Sequence, residues 1–208
     1  MKTINMLSLL FAMTTFSLSM SISPGPVNLT ILSSSINYGV KKTFAFISGA
    51  TIGFTLLLAA VCFGLYQIIV NYPILLDAIT ILGTALLVWI GWNIFKAEGE
   101  TIQTSEQDHA QIPNFMQGIL MQWLNPKAWI AAVSGTALFS ASHNQFYLAL
   151  FVLIYFVVCY LSLFIWGVAG QKLAGFLNIG QRAKVFNMIM GAVLIGISLQ
   201  MCWQHFYS

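Results

Sequence analysis

Lys127 is the side chain best placed to do chemistry by charge. It follows Asn125 and Pro126 inside an apolar stretch running from about Phe115 to Ala141. A lysine at the centre of a bilayer costs about 2.5–3.5 kcal/mol on insertion scales. A fixed cation there can hold a carboxylate through a charge-assisted hydrogen bond. The alternative is an ammonium that snorkels along its own stem to the cytoplasmic surface. A second cluster, Ser23-Pro24-Gly25-Pro26-Val27-Asn28, interrupts the apolar run from Leu7 to Ile36. Proline removes a backbone donor and clashes with the preceding turn. In lipid, unpaired backbone is costly unless protein or a water-filled cavity surrounds it, so a broken helix at membrane depth points to a solute site. A plain proline kink without a ligand is the other reading.

Asn28 and Asn125 each stand beside one of these breaks. Their amides can donate to a carboxylate or accept from an ammonium, and they can equally cap the helix that restarts there. The helix restarting after Pro26 offers free N–H groups and a positive dipole end to an anion. The candidate substrate-binding residues are therefore Pro24, Gly25, Pro26, Asn28, Asn125, Pro126 and Lys127. Asp77 lies one turn into a later apolar segment. It is a candidate for proton coupling, since lipid disfavours a charged carboxylate, or else an ordinary boundary residue. No catalytic motif such as HExxH, GxSxG or a phosphate-binding glycine loop occurs, and Ser134-Gly135 lacks a histidine or lysine partner of matching depth. Neither an enzyme nor a cofactor is expected.

The elements that must hold these residues are membrane helices. Hydrophobic residues make up 59% and charged residues 6% of the 208-residue chain, far from the roughly 25% charged of a soluble domain. The net charge of +3 is small and scattered, which argues against a nucleic-acid partner. Cys62, Cys159 and Cys202 lie far apart in apolar runs and read as small core residues. No histidine cluster forms, so no metal site is expected. Spans are expected at about 4–36, 44–70, 74–95, 115–141, 146–169 and 185–203. Met1 to Ser21 also resembles a secretory signal peptide, but its apolar run continues past any cleavage point. Gly49 and Gly53 give the second span a small-residue face for close packing, and Ala192 with Gly196 offers another on the last. Residues 170–184, with Lys172, Arg182 and Lys184 around Leu173, Phe176 and Leu177, suit a short helix on an anionic membrane surface.

Lys41, Lys42, Lys96, Lys172, Arg182 and Lys184 fall in loops on one side, and only Lys2 falls on the other. The positive-inside rule then puts both termini in the periplasm. The expected fold is all-α and integral to the membrane, a single domain over residues 1–208. Its first half is 1–95, its acidic cytoplasmic loop 96–114 and its second half 115–208. The halves form two inverted three-helix units, and helices 1 and 4 are broken.

At these residues the chain resembles the lysine-exporter (LysE/RhtB) family of bacterial amino-acid efflux transporters. Pro24-Gly25-Pro26 with Asn28 is similar to the family's PGP signature. Gly39-Val40-Lys41-Lys42 with Gly49 and Gly53, Leu82-Gly83, Ile90-Gly91-Trp92, Phe115-x-x-Gly118 and Asn125-Pro126-Lys127-Ala128 follow in the family's order. Thr43, Ala85-Leu86-Leu87 and Asn93 depart from its common residues and leave the substrate open. The resemblance implies export of a small amino acid or derivative across the bacterial inner membrane, driven by proton antiport. Lys127 would hold the carboxylate, and Asn28 and Asn125 would orient the rest. A non-transporting assembly or chaperone subunit is the rival from another class. Export of a different small solute, such as a metal ion, is the rival within transport. The partners expected are the amino-acid substrate and membrane lipids, with a homodimer left open.

Overall fold

The structure, a computed structural model, describes residues 6–96, 112–140, 145–177 and 182–207. Most of the acidic connector lies outside these residues, as do Lys2, His109 and His143. Every regular element among the described residues is helical. Helix α1 (Met6–Ile22) meets α2 (Pro26–Tyr38) at an angle of 57°. Helix α3 (Val40–Ala60) passes through a kinked π-type turn, Val61–Leu65, in which Gly64 is non-helical, into α4 (Tyr66–Asn71). Then come α5 (Ile74–Lys96), α6 (Phe115–Trp123), α7 (Pro126–Phe139), α8 (Gln145–Leu177) and α9 (Arg182–Tyr207).

Four of these stretches are long and apolar enough to cross a membrane: Val40–Asn71, Ile74–Lys96, Gln145–Leu177 and Lys184–Tyr207. The bent pair α1–α2 makes up to five. At 9 and 14 residues, α6 and α7 are each too short to span alone. Pro26 and Pro126 open α2 and α7, where the missing proline N–H would have had no intrahelical partner.

Glycines set how closely the helices approach. A Cβ on Gly49 would overlap the Phe115 backbone, and one on Gly53 would lie 2.7 Å from the Ile119 Cα. These two residues of α3 therefore seat α6. Gly91 of α5 and Gly191 of α9 each press on the other's backbone. The expectation for the last span is corrected here. Ala192 and Gly196 are exposed, and a Cβ on Gly196 meets nothing within 4 Å. At about 100° per residue, Ala192 and Gly196 are turned away from the Gly191 face that packs on α5.

The fifth span also differs from expectation. It does not stop at Ala169 before a separate surface helix; α8 continues to Leu177. Gly170 sits against the Leu32 carbonyl, and Ala174 and Leu177 are buried with Ile36, so α2 supports the added turns. Nearby, Gly39 turns the chain from α2 to α3 with φ 80°, a left-handed geometry that favours glycine. The next amide, Val40 N–H, donates to Gln171 Oε1 at 2.9 Å. These contacts gather the end of α2, the start of α3, the end of α8 and the start of α9 at one end of the bundle.

Candidate functional site: two helix breaks joined by a lysine

Where α1 stops at Ile22, its last carbonyls have no partner within the helix. Side chains supply the donors. Ser23 Oγ donates to the Met20 carbonyl at 3.3 Å, and Asn28 Nδ2 to the Ser21 carbonyl at 2.9 Å. Trp166 Nε1, from α8, donates to the Ile22 carbonyl at 3.1 Å. Lys127 Nζ, from the start of α7, donates to the Ser23 carbonyl at 2.7 Å, to Ser23 Oγ at 2.9 Å and to the Pro24 carbonyl at 3.4 Å. The ammonium therefore does not snorkel. It sits in a nest of acceptors at the negative end of the α1 dipole. Hydrogen bonds to a charged group contribute about 1.5–3 kcal/mol each, so the two short ones offset the about 2.5–3.5 kcal/mol cost of a lysine at this depth.

The second break is closed by its own residues. Asn125 Oδ1 accepts from the Lys127 backbone N–H at 3.1 Å and caps α7. Its Nδ2 reaches Gln122 Oε1 at 3.4 Å. Trp129 Nε1 donates to the Trp123 carbonyl at 2.6 Å. Asn28, by contrast, does not cap α2, whose start at Gly25 has no side-chain cap.

Between the breaks lies a cavity of about 30 Å³ whose polar wall is Ser21, Asn28, Gln122, Asn125, Lys127 and Tyr155. That space holds one or two waters and is too small for an amino acid as it stands. Ser21 Oγ is buried without a well-formed hydrogen bond, although the Tyr155 hydroxyl and the Cys159 thiol lie alongside it. Pro24, Gly25 and Pro26 shape the first break. Pro126 lies on the far side of α7 from this cavity and lines a larger one of about 620 Å³ between α5, α7 and α9.

Sequence reasoning missed Ser21, Gln122, Tyr155, Cys159 and Trp166. The usable signal for Gln122 was a polar side chain in an apolar stretch, one turn before Asn125. Nothing in the sequence distinguishes Tyr155 and Trp166 from the other aromatics of α8. Asp77 does not reach the small cavity between the breaks. It pairs with His205 at 2.7 Å, between the start of α5 and the end of α9, beside the larger cavity.

Comparison with known proteins finds relatives among efflux proteins. The chain is 26% identical over 135 residues to a cysteine/O-acetylserine efflux protein of Klebsiella pneumoniae subsp. pneumoniae, covering 64% of this chain and 65% of that relative. The match therefore spans a little under two thirds of that relative's length. It is 27% identical over 140 residues to a cysteine/O-acetylserine efflux protein of Escherichia coli K12, covering 66% of this chain and 69% of the relative. No solved structure matches the chain. The LysE type translocator family matches residues 18–205, nearly the whole length and both breaks, and the chain belongs to that family of transporters.

Proposed function

We propose that this chain is a secondary exporter of a small amino acid or amino-acid derivative across the bacterial inner membrane, with cysteine and O-acetylserine as the first substrates to test. Substrate binds between the breaks. Lys127 holds the carboxylate, Asn28 and Asn125 orient the rest, and the halves rock to expose the site to either side in turn. The observation that carries this reading is the Lys127 ammonium. It crosses from one break to the other beside a small cavity with polar walls.

Six spans follow when α6 and α7 are taken as one broken span, as α1 and α2 are. The pairing of α5 with α9 and of α3 with α8, and the reciprocal Gly91–Gly191 contact, are the contacts an inverted repeat makes across its axis. Lys41, Lys42, Lys172, Arg182 and Lys184 gather at one end of the bundle. The positive-inside rule makes that end cytoplasmic and both termini periplasmic.

Efflux from proteoliposomes tests the centre. Lys127→Met should lower cysteine efflux by about ten-fold or more, the equivalent of one charge-assisted bond, while the protein still inserts. Lys127→Arg should retain part of the rate, because the charge survives in a planar fork. Wild-type efflux from equally abundant Lys127→Met overturns the assignment. Proton coupling is assigned to Asp77 in its pair with His205. Asp77→Asn should abolish pH-driven efflux and spare exchange at equal pH; unchanged pH-driven efflux removes Asp77 from the mechanism.

A further inference from the structure

We infer that the acceptors now holding the Lys127 ammonium, namely the Ser23 carbonyl, Ser23 Oγ and the Pro24 carbonyl, are the binding subsite for the α-ammonium of the substrate, and that Lys127 occupies it as a tethered stand-in until substrate arrives. This rests on the amino-acid export reading above and specifies how that substrate is recognised.

The site already contains a primary ammonium in a well-made nest. Its nitrogen lies 2.7 Å and 2.9 Å from two oxygens of Ser23 and 3.4 Å from that of Pro24. A substrate ammonium is the same chemical group and needs the same acceptors. When Lys127 turns away, those oxygens lose their donor, and carbonyls left unpaired at this depth are costly. An α-amino acid repairs both losses. Its carboxylate follows the displaced lysine, and its ammonium enters the vacated nest.

The two substrate groups sit on one carbon, so the subsites must adjoin. The Lys127 nitrogen then stands on the far side of the carboxylate, one ion-pair distance of roughly 3 Å from it and so on the order of 4–6 Å from the nest, within reach of its flexible four-carbon stem. The exchange leaves the charge of the site balanced, because a neutral zwitterion enters and Lys127 stays protonated.

Two further observations support an exchange site. The lysine stem passes directly over Gly25, where a Cβ would lie 3.0 Å from both Lys127 Cδ and Nζ, so its departure opens space at the nest itself. Ser21 Oγ, buried beside the Tyr155 hydroxyl and the Cys159 thiol, stands on the same cavity wall and adds a polar group next to the nest. The cavity wall carries no acid and one base. The ligand class is therefore an α-amino acid with a free ammonium and an uncharged side chain; a second cation would meet Lys127 unopposed.

The test is binding to the purified full-length protein, read by tryptophan fluorescence and by thermal shift, with three thiols under reductant. Cysteine has both groups, N-acetylcysteine lacks the ammonium and cysteamine lacks the carboxylate. Wild type should bind N-acetylcysteine at least about ten-fold more weakly than cysteine, the loss of one charge-assisted bond. Lys127→Met should lose cysteine affinity yet bind cysteamine about ten-fold more tightly than wild type does, because the tethered competitor is gone. Ser23→Ala, a milder change that keeps both carbonyls, takes the same bond from Lys127 and from the substrate ammonium, so it should leave cysteine nearly unchanged, tighten N-acetylcysteine several-fold and narrow the preference between them. Equal wild-type binding of cysteine and N-acetylcysteine overturns the subsite, and so does folded Lys127→Met with no gain for cysteamine. If cysteine binds and is exported in either of those cases, the transport reading stands alone. If wild type binds none of the three thiols, cysteine is not its substrate and the subsite argued on it falls.

Discussion

The two helix breaks look alike in sequence, each a proline beside an asparagine, yet they are held in opposite ways. The second is self-sufficient: Asn125, Gln122, Trp123 and Trp129 satisfy one another across a few residues. The first borrows key donors, since Trp166 comes from α8 and Lys127 from α7. A break closed by its own residues keeps its shape when its neighbours move. A break closed by distant residues changes state when they leave. On this comparison the second break is the fixed post and the first is the part that opens.

The largest effect should come from striking the fixed post. Gly83 of α5 lies under the Leu124 carbonyl, where a Cβ would overlap backbone. Overpacking against atoms that cannot turn aside costs about 1–3 kcal/mol or more. Gly83→Ala should therefore reduce the yield of folded protein on size-exclusion chromatography and abolish efflux. A well-folded, active Gly83→Ala protein would show that the second break yields, and the comparison would fail.

Next in size is Trp166→Phe, which keeps the ring and removes the donor to the Ile22 carbonyl. A buried acceptor left without a partner costs about 1–3 kcal/mol, so the thermal midpoint should drop clearly. Asn125→Ala removes a cap worth about 1 kcal/mol and should lower the midpoint less, because the α7 start still has the other contacts of its own segment. If Asn125→Ala proves the more damaging of the two, the self-sufficiency of the second break is wrong.

The smallest stability effect belongs to Gly25→Ala. Gly25 has φ −162°, an extended geometry open to any residue, and its new methyl would press on the movable end of Lys127 at 3.0 Å and lie in ordinary contact with Asn28 Oδ1 at 3.6 Å. The thermal midpoint should shift by less than the equivalent of about 1 kcal/mol, while cysteine efflux falls several-fold because the methyl occupies the space the exchange requires. An efflux rate equal to wild type would place the substrate elsewhere.

Much of this protein was legible in its sequence. Apolar runs with few charges marked out the long helices, and prolines inside those runs marked both breaks, because a proline there cannot continue the helix. The glycines at positions 49 and 53 indicated a close-packing face, and Asn125 a cap. What the residues could not give was rotation about each helix axis. Helices α5 and α8 are apolar on nearly every face, so no polar stripe says which side turns inward. That is why Trp166 and Tyr155 gave no sign of facing the first break; the apolar stretch of α9 likewise did not say whether the face of Gly191 or that of Gly196 would pack. The π-helical turn at Val61–Leu65, which brings the Cys62 Sγ to 3.3 Å from Thr136 Oγ1, and the meeting of Asp77 with His205 were unreadable for the same reason. The sequence by itself determined that a lysine would stand at a broken helix deep in the chain. Only the tertiary structure decided that its ammonium would close the other break, because that depends on how far apart in space two segments lie once every apolar helix has found its partner.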